Sequence, residues 1–331
     1  MGNKPVVKVD SKVSICFQEF LNLMIKCGVP KTDIALIHTN GPNMEHLLMN
    51  SKMRMTQFTG SSKVAEHLSK QLNGIIKIED AGFDWKITGP DVNDIDFAVF
   101  LTDQDCFAGS GQKCSAQSIM FLHQNWAKAG FIEKLKIRTS NRKFSDLTIV
   151  PVLTWNNKQL KSQTEKLLAI PGAKLIFGGK VVSENNTVPE VYGLWEPTLI
   201  SVPINQYDEH YELITTEVFG PITIITEYED SQLDKVLNIM EGFDRYLTAG
   251  VVSNDARFLQ KVLGKTINGV TYAGLKARTT GAPQNHWFGP CGDPRGAGIG
   301  TIEAIKYVWS SHREIIMDTG CVDPNNKMIQ S

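Results

Sequence analysis

Apolar positions along this chain switch between two spacings. Short apolar runs at 6–9, 34–37, 53–58 and 75–78 read as strands. Between the first two, Val13, Phe17, Phe20, Leu21 and Met24 fall on one face at helical spacing, closed by Gly28 and Pro30. Asp10 or Ser11 is placed to cap that helix. Further helices are expected over 43–49 and 63–72, the second following the turn Thr59-Gly60-Ser61-Ser62. Strands separated by crossover helices predict a parallel, doubly wound sheet. The chain opens on a strand with no phosphate-binding turn before it, so its start reads as the middle of a domain.

The mixed α/β pattern continues to about residue 300. Strands are expected over 118–122 and 147–152, helices over 156–168 and 230–240, and glycine-rich turns at Gly178-Gly179 and over 289–300. Glu314-Ile315-Ile316-Met317 reads as an edge strand before a polar tail. The expected organisation is 1–80 as part of a nucleotide-binding domain, 81–305 as a catalytic domain, and 306–331 as a tail with an oligomerisation strand.

Composition changes this picture little. The 331 residues can bury two cores, and 42% hydrophobic with 21% charged residues is ordinary for a soluble protein. A net charge of −1 gives no whole-chain field toward nucleic acid or an anionic membrane. No apolar run is long enough to span a bilayer. Residues 1–5 show neither a signal-peptide core nor an Arg-rich presequence. The six cysteines form no CxxC pair and the histidines are scattered, which gives a zinc site little support and fits free thiols in a reducing compartment.

Cys114 is the candidate that stands out. It sits in Ser110-Gly111-Gln112-Lys113-Cys114-Ser115-Ala116, a small, polar collar through which a carbonyl carbon can reach a sulfur. A lone cysteine is more often an inert hydrophobe. Glu79, thirty-five residues upstream, ends a strand, where a carboxylate can act as a base on water; alone it reads more readily as a solvated or salt-bridged acid. Gly60 and Ser61 open a helix after a strand, a place suited to phosphate but also an ordinary turn. Glu217 opens Glu217-Val218-Phe219-Gly220-Pro221.

In this order, Lys8, Phe58-Thr59-Gly60-Ser61, Glu79, Gly111-Gln112-Lys113-Cys114, Glu196-Pro197-Thr198 and Glu217-Val218-Phe219-Gly220-Pro221 resemble the aldehyde dehydrogenase superfamily over nearly the whole chain. The stretches 79–86 and 279–296 are most similar to plant-type delta-1-pyrroline-5-carboxylate dehydrogenases. The resemblance implies an aldehyde dehydrogenase-like α/β fold with a partial Rossmann-type sheet, and NAD as cofactor. It implies Cys114 as nucleophile and Glu79 as the base that hydrolyses a thioester. Lys8 and Ser11 would hold the adenosine ribose, Gly60 and Ser61 the pyrophosphate, Glu217 and Phe219 the nicotinamide riboside. Ser115, Gly281, Ala282 and Phe288 would meet a substrate bearing a carboxylate and an amine. Family members are usually homo-oligomers and this group is mitochondrial; no nucleic-acid or membrane partner is implied. Relative to full members, roughly two hundred residues, about one further domain's worth, are expected ahead of this start. They would carry a second oxyanion donor.

Three readings follow: an NAD-dependent dehydrogenase acting on glutamate γ-semialdehyde, a catalytically silent fragment or regulatory paralogue, and a cysteine hydrolase pairing Cys114 with His286 or His312.

Overall fold

The computed structural model describes residues 3–80, 82–184, 187–244, 246–280, 286–311, 313–317 and 319. The first eighty residues form two small parallel sheets. β1 (Val6–Val7) pairs with β2 (Ala35–Leu36) around α1 (Ser14–Lys26). α2 (Gly41–Asn50) then leads to β3 (Thr56–Thr59), which pairs with β4 (Ile76–Glu79) around α3 (Ser62–Gln71). The four expected strands are present and parallel within each pair, but as two separate sheets. Leu48, Ala65, Leu68, Ile76 and Ile78 fill the core of the second unit.

The rest is built on β5 (Asp84–Thr88), β6 (Gln117–His123), β7 (Lys174–Phe177), β8 (Thr198–Ser201), β9 (Ile222–Tyr228), β10 (Thr248–Val252) and β11 (Val270–Ala273). They form one sheet in the order β11-β10-β5-β6-β9-β8-β7, parallel throughout except for β7 against β8. Both faces are covered, as a parallel sheet requires. Alternate residues of each strand serve opposite layers. Ile119 and Phe121 join one core with Trp85, Ile200 and Val251, under helices carrying Leu160, Tyr207, Val236 and Phe258. Met120 and Leu122 join the other, under Ala98 and Val99 of α4 (Ile95–Phe107) and Phe131 and Leu135 of the next long helix.

Segment 295–297 welds the small sheet to the large unit. Ile78 N–H donates to the Arg295 carbonyl at 2.9 Å, and Ala297 N–H to the Ile78 carbonyl at 2.9 Å. The Arg295 guanidinium grips Glu66 of α3 and Asp293, and donates to the Ser69 hydroxyl. β4 is therefore held on both edges, which fixes its last residue, Glu79. The distinctive stretch ending in Asp293-Pro294-Arg295 is in part this clamp.

Three local expectations are corrected. Positions 147–152 form turns, not a strand: Leu147 has φ 62°, a left-handed conformation no strand tolerates, and only Val152 bridges, to Gly193. Residues 314–317 lie in no strand and are exposed. Asp10 and Ser11 do not cap α1; Asp10 closes a turn onto Lys12 and Val13 instead.

Candidate active site

Parallel strands share one starting edge, and on the large sheet that edge carries several of the candidates. Cys114 precedes β6, Glu217 to Pro221 precede β9, and Leu247 precedes β10. Facing this edge is the C-terminal end of β4, with Glu79 in register opposite Thr59. The gap is bridged by the short connection from Glu79 to Asp84, and it brings the two strongest sequence candidates together.

Cys114 stands on a backbone of unusual shape. Gly109, Ser110 and Gly111 all have positive φ, at 66°, 53° and 69°. Ser110 adopts this unfavourable conformation because its hydroxyl donates to the Val150 carbonyl at 2.8 Å and accepts from Val150 N–H at 2.9 Å. Gly111 is required twice over, since a Cβ there would stand 2.3 Å from the Gly220 carbonyl oxygen. That close approach seats the cysteine loop on the 217–221 turn. Gln112 completes the clamp: its amide donates to the Pro151 carbonyl at 2.9 Å and accepts from Leu153 N–H at 2.8 Å. The corrected segment 147–152 is thus the anchor of the cysteine loop.

The half-buried Cys114 thiol packs against an apolar cluster of Leu247, Val270 and Phe288. Of the charged groups around it, the Glu79 carboxylate acts on it most strongly. Burial pushes the thiol well above its usual range, and the charge of Glu79, the hydrogen bond to it and the charge of Asp84 push it further. Its own backbone N–H, turned toward the sulfur, pulls the other way. The resting group is a neutral thiol with a base already in contact. Lys113 is half-buried, and burial lowers its ammonium against the opposing field of Asp105.

Gly82 lets these parts meet, since a Cβ there would lie 2.5 Å from the Cys114 carbonyl oxygen. Its N–H donates to the Glu217 carboxylate. Burial pushes Glu217 from 4.5 up to about 7, against that hydrogen bond and helped by the charge of Asp80. Between those values the folded chain binds the proton more tightly than the unfolded one, so this group's stabilisation falls as pH rises from 4.5 to about 7. Glu217→Gln should abolish that dependence. The wild type should lose, relative to the variant, at most about 3 kcal/mol across the window, read from urea midpoints at each pH.

The remaining candidates are distributed as follows. Ser115 is buried beside Cys114 and Phe219 is half-buried, its carbonyl accepting from the Thr154 hydroxyl at 3.3 Å. Gly60 is exposed, and its N–H donates to the Glu79 carbonyl at 3.2 Å. Ser61 is the N-cap of α3 but its side chain caps nothing, and the first turn carries no acidic residue. That exposed, positively polarised helix start suits a pyrophosphate. Lys8, just after β1, and Ser11 belong to the other small sheet unit. Lys12 Nζ ties that unit to the Leu153 carbonyl, next to the Gln112 anchor. Gly281, Ala282 and His312 lie outside the described residues. His286 is engaged by the Tyr272 hydroxyl at 3.2 Å and the Trp287 carbonyl at 2.8 Å, which leaves Glu79 as the base in contact with Cys114.

Sequence reasoning missed Asp84, Asp105 and Gln112. An aspartate set directly before the apolar pair Cys106-Phe107, in a helix rich in apolar residues, was the available signal for Asp105.

The aldehyde dehydrogenase family model matches residues 1–309. The chain belongs to the aldehyde dehydrogenase family. Among curated members of the family, it is 56% identical over 324 residues to a "Probable aldehyde dehydrogenase" of Linum usitatissimum, covering 97% of this chain and 59% of the relative. It is 54% identical over 325 residues to "Delta-1-pyrroline-5-carboxylate dehydrogenase 12A1, mitochondrial" of Arabidopsis thaliana, covering 97% of this chain and 58% of the relative. The chain thus spans under two thirds of the length of both. Among solved structures, a gamma-glutamyl-gamma-aminobutyraldehyde dehydrogenase of Burkholderia cenocepacia superposes with TM-score 0.78 at 20% identity, over 93% of this chain and 61% of the other. A glyceraldehyde-3-phosphate dehydrogenase of Methanocaldococcus jannaschii, complexed with NADP, superposes with TM-score 0.75 at 23% identity, over 92% and 64%. These neighbours establish the fold.

Proposed function

We propose that this chain carries the catalytic centre of a mitochondrial, NAD-dependent dehydrogenase that oxidises glutamate γ-semialdehyde, formed from 1-pyrroline-5-carboxylate, to glutamate. The observation that carries the reading is the Cys114 thiol set beside the Glu79 carboxylate and against a small apolar cluster. The 54% identity to the Arabidopsis enzyme supports the substrate and the compartment.

Glu79 takes the thiol proton, and the Cys114 sulfur adds to the aldehyde carbon. The Cys114 N–H, turned toward the sulfur, is placed to donate to the resulting alkoxide. Bound NAD supplies the acceptor for the hydride that leaves this adduct. Glu79, once it has passed its proton to solvent, draws a proton from water, whose oxygen displaces the sulfur from the thioester and frees the carboxylic acid. Gly60 and the start of α3 would hold the pyrophosphate, Lys8 and Ser11 the adenosine ribose, and Glu217 with Phe219 the nicotinamide riboside. Gly281, Ala282 and Ser115 would grip the substrate's carboxylate and amine beside Phe288. The NADP bound in one fold neighbour makes the choice of cofactor a necessary arm of the test.

The test is reduction of NAD, and separately of NADP, by the purified chain with pyrroline-5-carboxylate, before and after alkylation of Cys114. Turnover with NAD that alkylation stops supports the reading. A folded chain that binds NAD but turns over nothing favours the catalytically silent alternative.

A further inference from the structure

The loop that carries Cys114 hangs between two supports, the end of α4 and the segment ending at Leu153, and one side chain holds both. Arg142 follows the helix Phe131–Thr139 and lays its guanidinium over the last turn of α4, with its side chain only 9% exposed. Its Nε donates to Asp103 Oδ1 at 2.9 Å and its Nη2 to Asp103 Oδ2 at 2.7 Å, a two-pronged match of planar groups. Nη2 also donates to the Asp103 carbonyl at 3.1 Å, and Nη1 to the Phe107 carbonyl at 3.5 Å. Phe107 is the last residue of α4, where carbonyls lack helical partners and a cation is favoured. The same Nη1 donates to the Thr148 carbonyl at 3.3 Å. Two residues further on, Val150 holds the Ser110 hydroxyl, and beyond it Pro151 and Leu153 hold Gln112. Burial lowers the Lys113 ammonium, and the charge of Arg142 adds to this against that of Asp105, so the guanidinium is felt at the residue before the nucleophile.

We propose that Arg142 is a positioning residue for Cys114: its guanidinium fixes the end of α4 against the segment ending at Leu153, and that spacing seats the sulfur beside Glu79. From Phe107 to Cys114 the chain passes through Gly109, Ser110 and Gly111, all at positive φ. Such a conformation persists only while its surroundings impose it, and for Ser110, which has a side chain to accommodate, above all. What imposes it is the pair of hydrogen bonds with Val150, and Arg142 holds the segment carrying Val150 to the helix end. Lysine cannot take this place. Its single ammonium can meet the Asp103 carboxylate but has no fork with which to reach the Phe107 and Thr148 carbonyls as well. The inference rests on Cys114 being the nucleophile, but its readout is taken on the thiol itself, so a chain that turns over no aldehyde still decides it.

The experiment alkylates the wild type, Arg142→Gln and Arg142→Lys with iodoacetamide at neutral pH and follows Cys114 and Cys106 separately by mass spectrometry. Cys106 is the internal control: it lies on α4, is 3% exposed and reacts only where the chain opens. In Arg142→Gln the loop should leave its seat and Cys114 should react about tenfold faster, the gain in thiolate when a thiol pKa falls by one unit, while Cys106 stays as slow as in the wild type. Arg142→Lys should match Arg142→Gln at Cys114, although its pairing with Asp103 keeps more of the urea midpoint. Adding Glu79→Gln should accelerate Cys114 less in Arg142→Gln than in the wild type, because the sulfur no longer faces that carboxylate. Cys114 and Cys106 rising together would mean that the arginine only stabilises the fold, and would overturn the proposal. An unchanged Cys114 rate in Arg142→Gln would do the same, as would a wild-type rate restored by lysine, which would leave the ion pair with Asp103 as all that matters. Equal acceleration by Glu79→Gln in the two backgrounds would also overturn it.

Discussion

Cys114→Ser is expected to take aldehyde oxidation to background, while Glu79→Gln slows the release of product far more than the first half of the cycle. A serine hydroxyl presented to Glu79 is too poor a nucleophile to replace the sulfur, and loss of a covalent nucleophile costs on the order of 10⁴-fold or more. Glu79 has two parts to play, and they respond in opposite directions. Its charge and its hydrogen bond both hold the Cys114 proton in place, second only to burial. Glutamine removes the charge, so the thiol becomes easier to ionise. Cys114 should then alkylate faster at neutral pH, followed at that residue because Cys16, Cys27 and Cys291 are also exposed. Hydrolysis of the thioester needs the base itself and should slow by about 10²–10⁴-fold. A stopped-flow trace would show one NADH released per site and then a stall. Equal loss of the burst and of the steady state would mean that the proton Glu79 takes from the thiol, and not the one it draws from water, limits the cycle.

Glu79 and Cys114 were legible in the sequence because each sits in a local motif whose chemistry depends on a few neighbours. What brings them together was not. The meeting depends on Gly82 and Gly111, whose missing side chains admit the Cys114 and Gly220 carbonyls, partners distant in the chain. It depends also on Arg295, which holds β4 from a segment more than two hundred positions away in sequence. The strand expected over 147–152 failed for a related reason. Its apolar residues Ile149 and Val152 are indeed buried, but the backbone of Val150, Pro151 and Leu153 is spent on Ser110 and Gln112, and that of Thr148 and Ile149 on the Lys143 carbonyl, rather than on a neighbouring strand. Apolar content reports burial, and only tertiary hydrogen bonding decides whether a buried segment is a strand. The segment 314–317 has strand-forming residues but no strand beside it among the described residues.

Asp105→Ala should be the most damaging single change away from the thiol. Lys86 on β5 and Asp105 on α4 meet at 2.6 Å with each side chain 1% exposed. The ammonium's other hydrogen bond is to the Thr102 hydroxyl at 3.2 Å. The carboxylate does more, accepting Thr279 N–H at 2.9 Å, Thr280 N–H at 3.1 Å and the Thr280 hydroxyl at 2.7 Å. Truncating it strands a buried ammonium, a loss of about 3–5 kcal/mol, and leaves backbone donors unsatisfied at about 1–3 kcal/mol each. The urea midpoint should fall accordingly with little change in slope. Replacing both partners, Lys86→Met with Asp105→Leu, removes the stranded charge but still leaves the Thr279 and Thr280 N–H groups unpaired. The double variant should therefore regain only part of the loss, whereas a simple ion pair would regain all of it. Those two threonines lead directly into Gly281 and Ala282, the residues proposed to grip the substrate's carboxylate and amine. In whatever fraction of Asp105→Asn remains folded, the Michaelis constant for the semialdehyde should rise more than kcat falls. Alkylation of Cys114, whose loop is anchored on Val150, Pro151 and Leu153 instead, should be little changed.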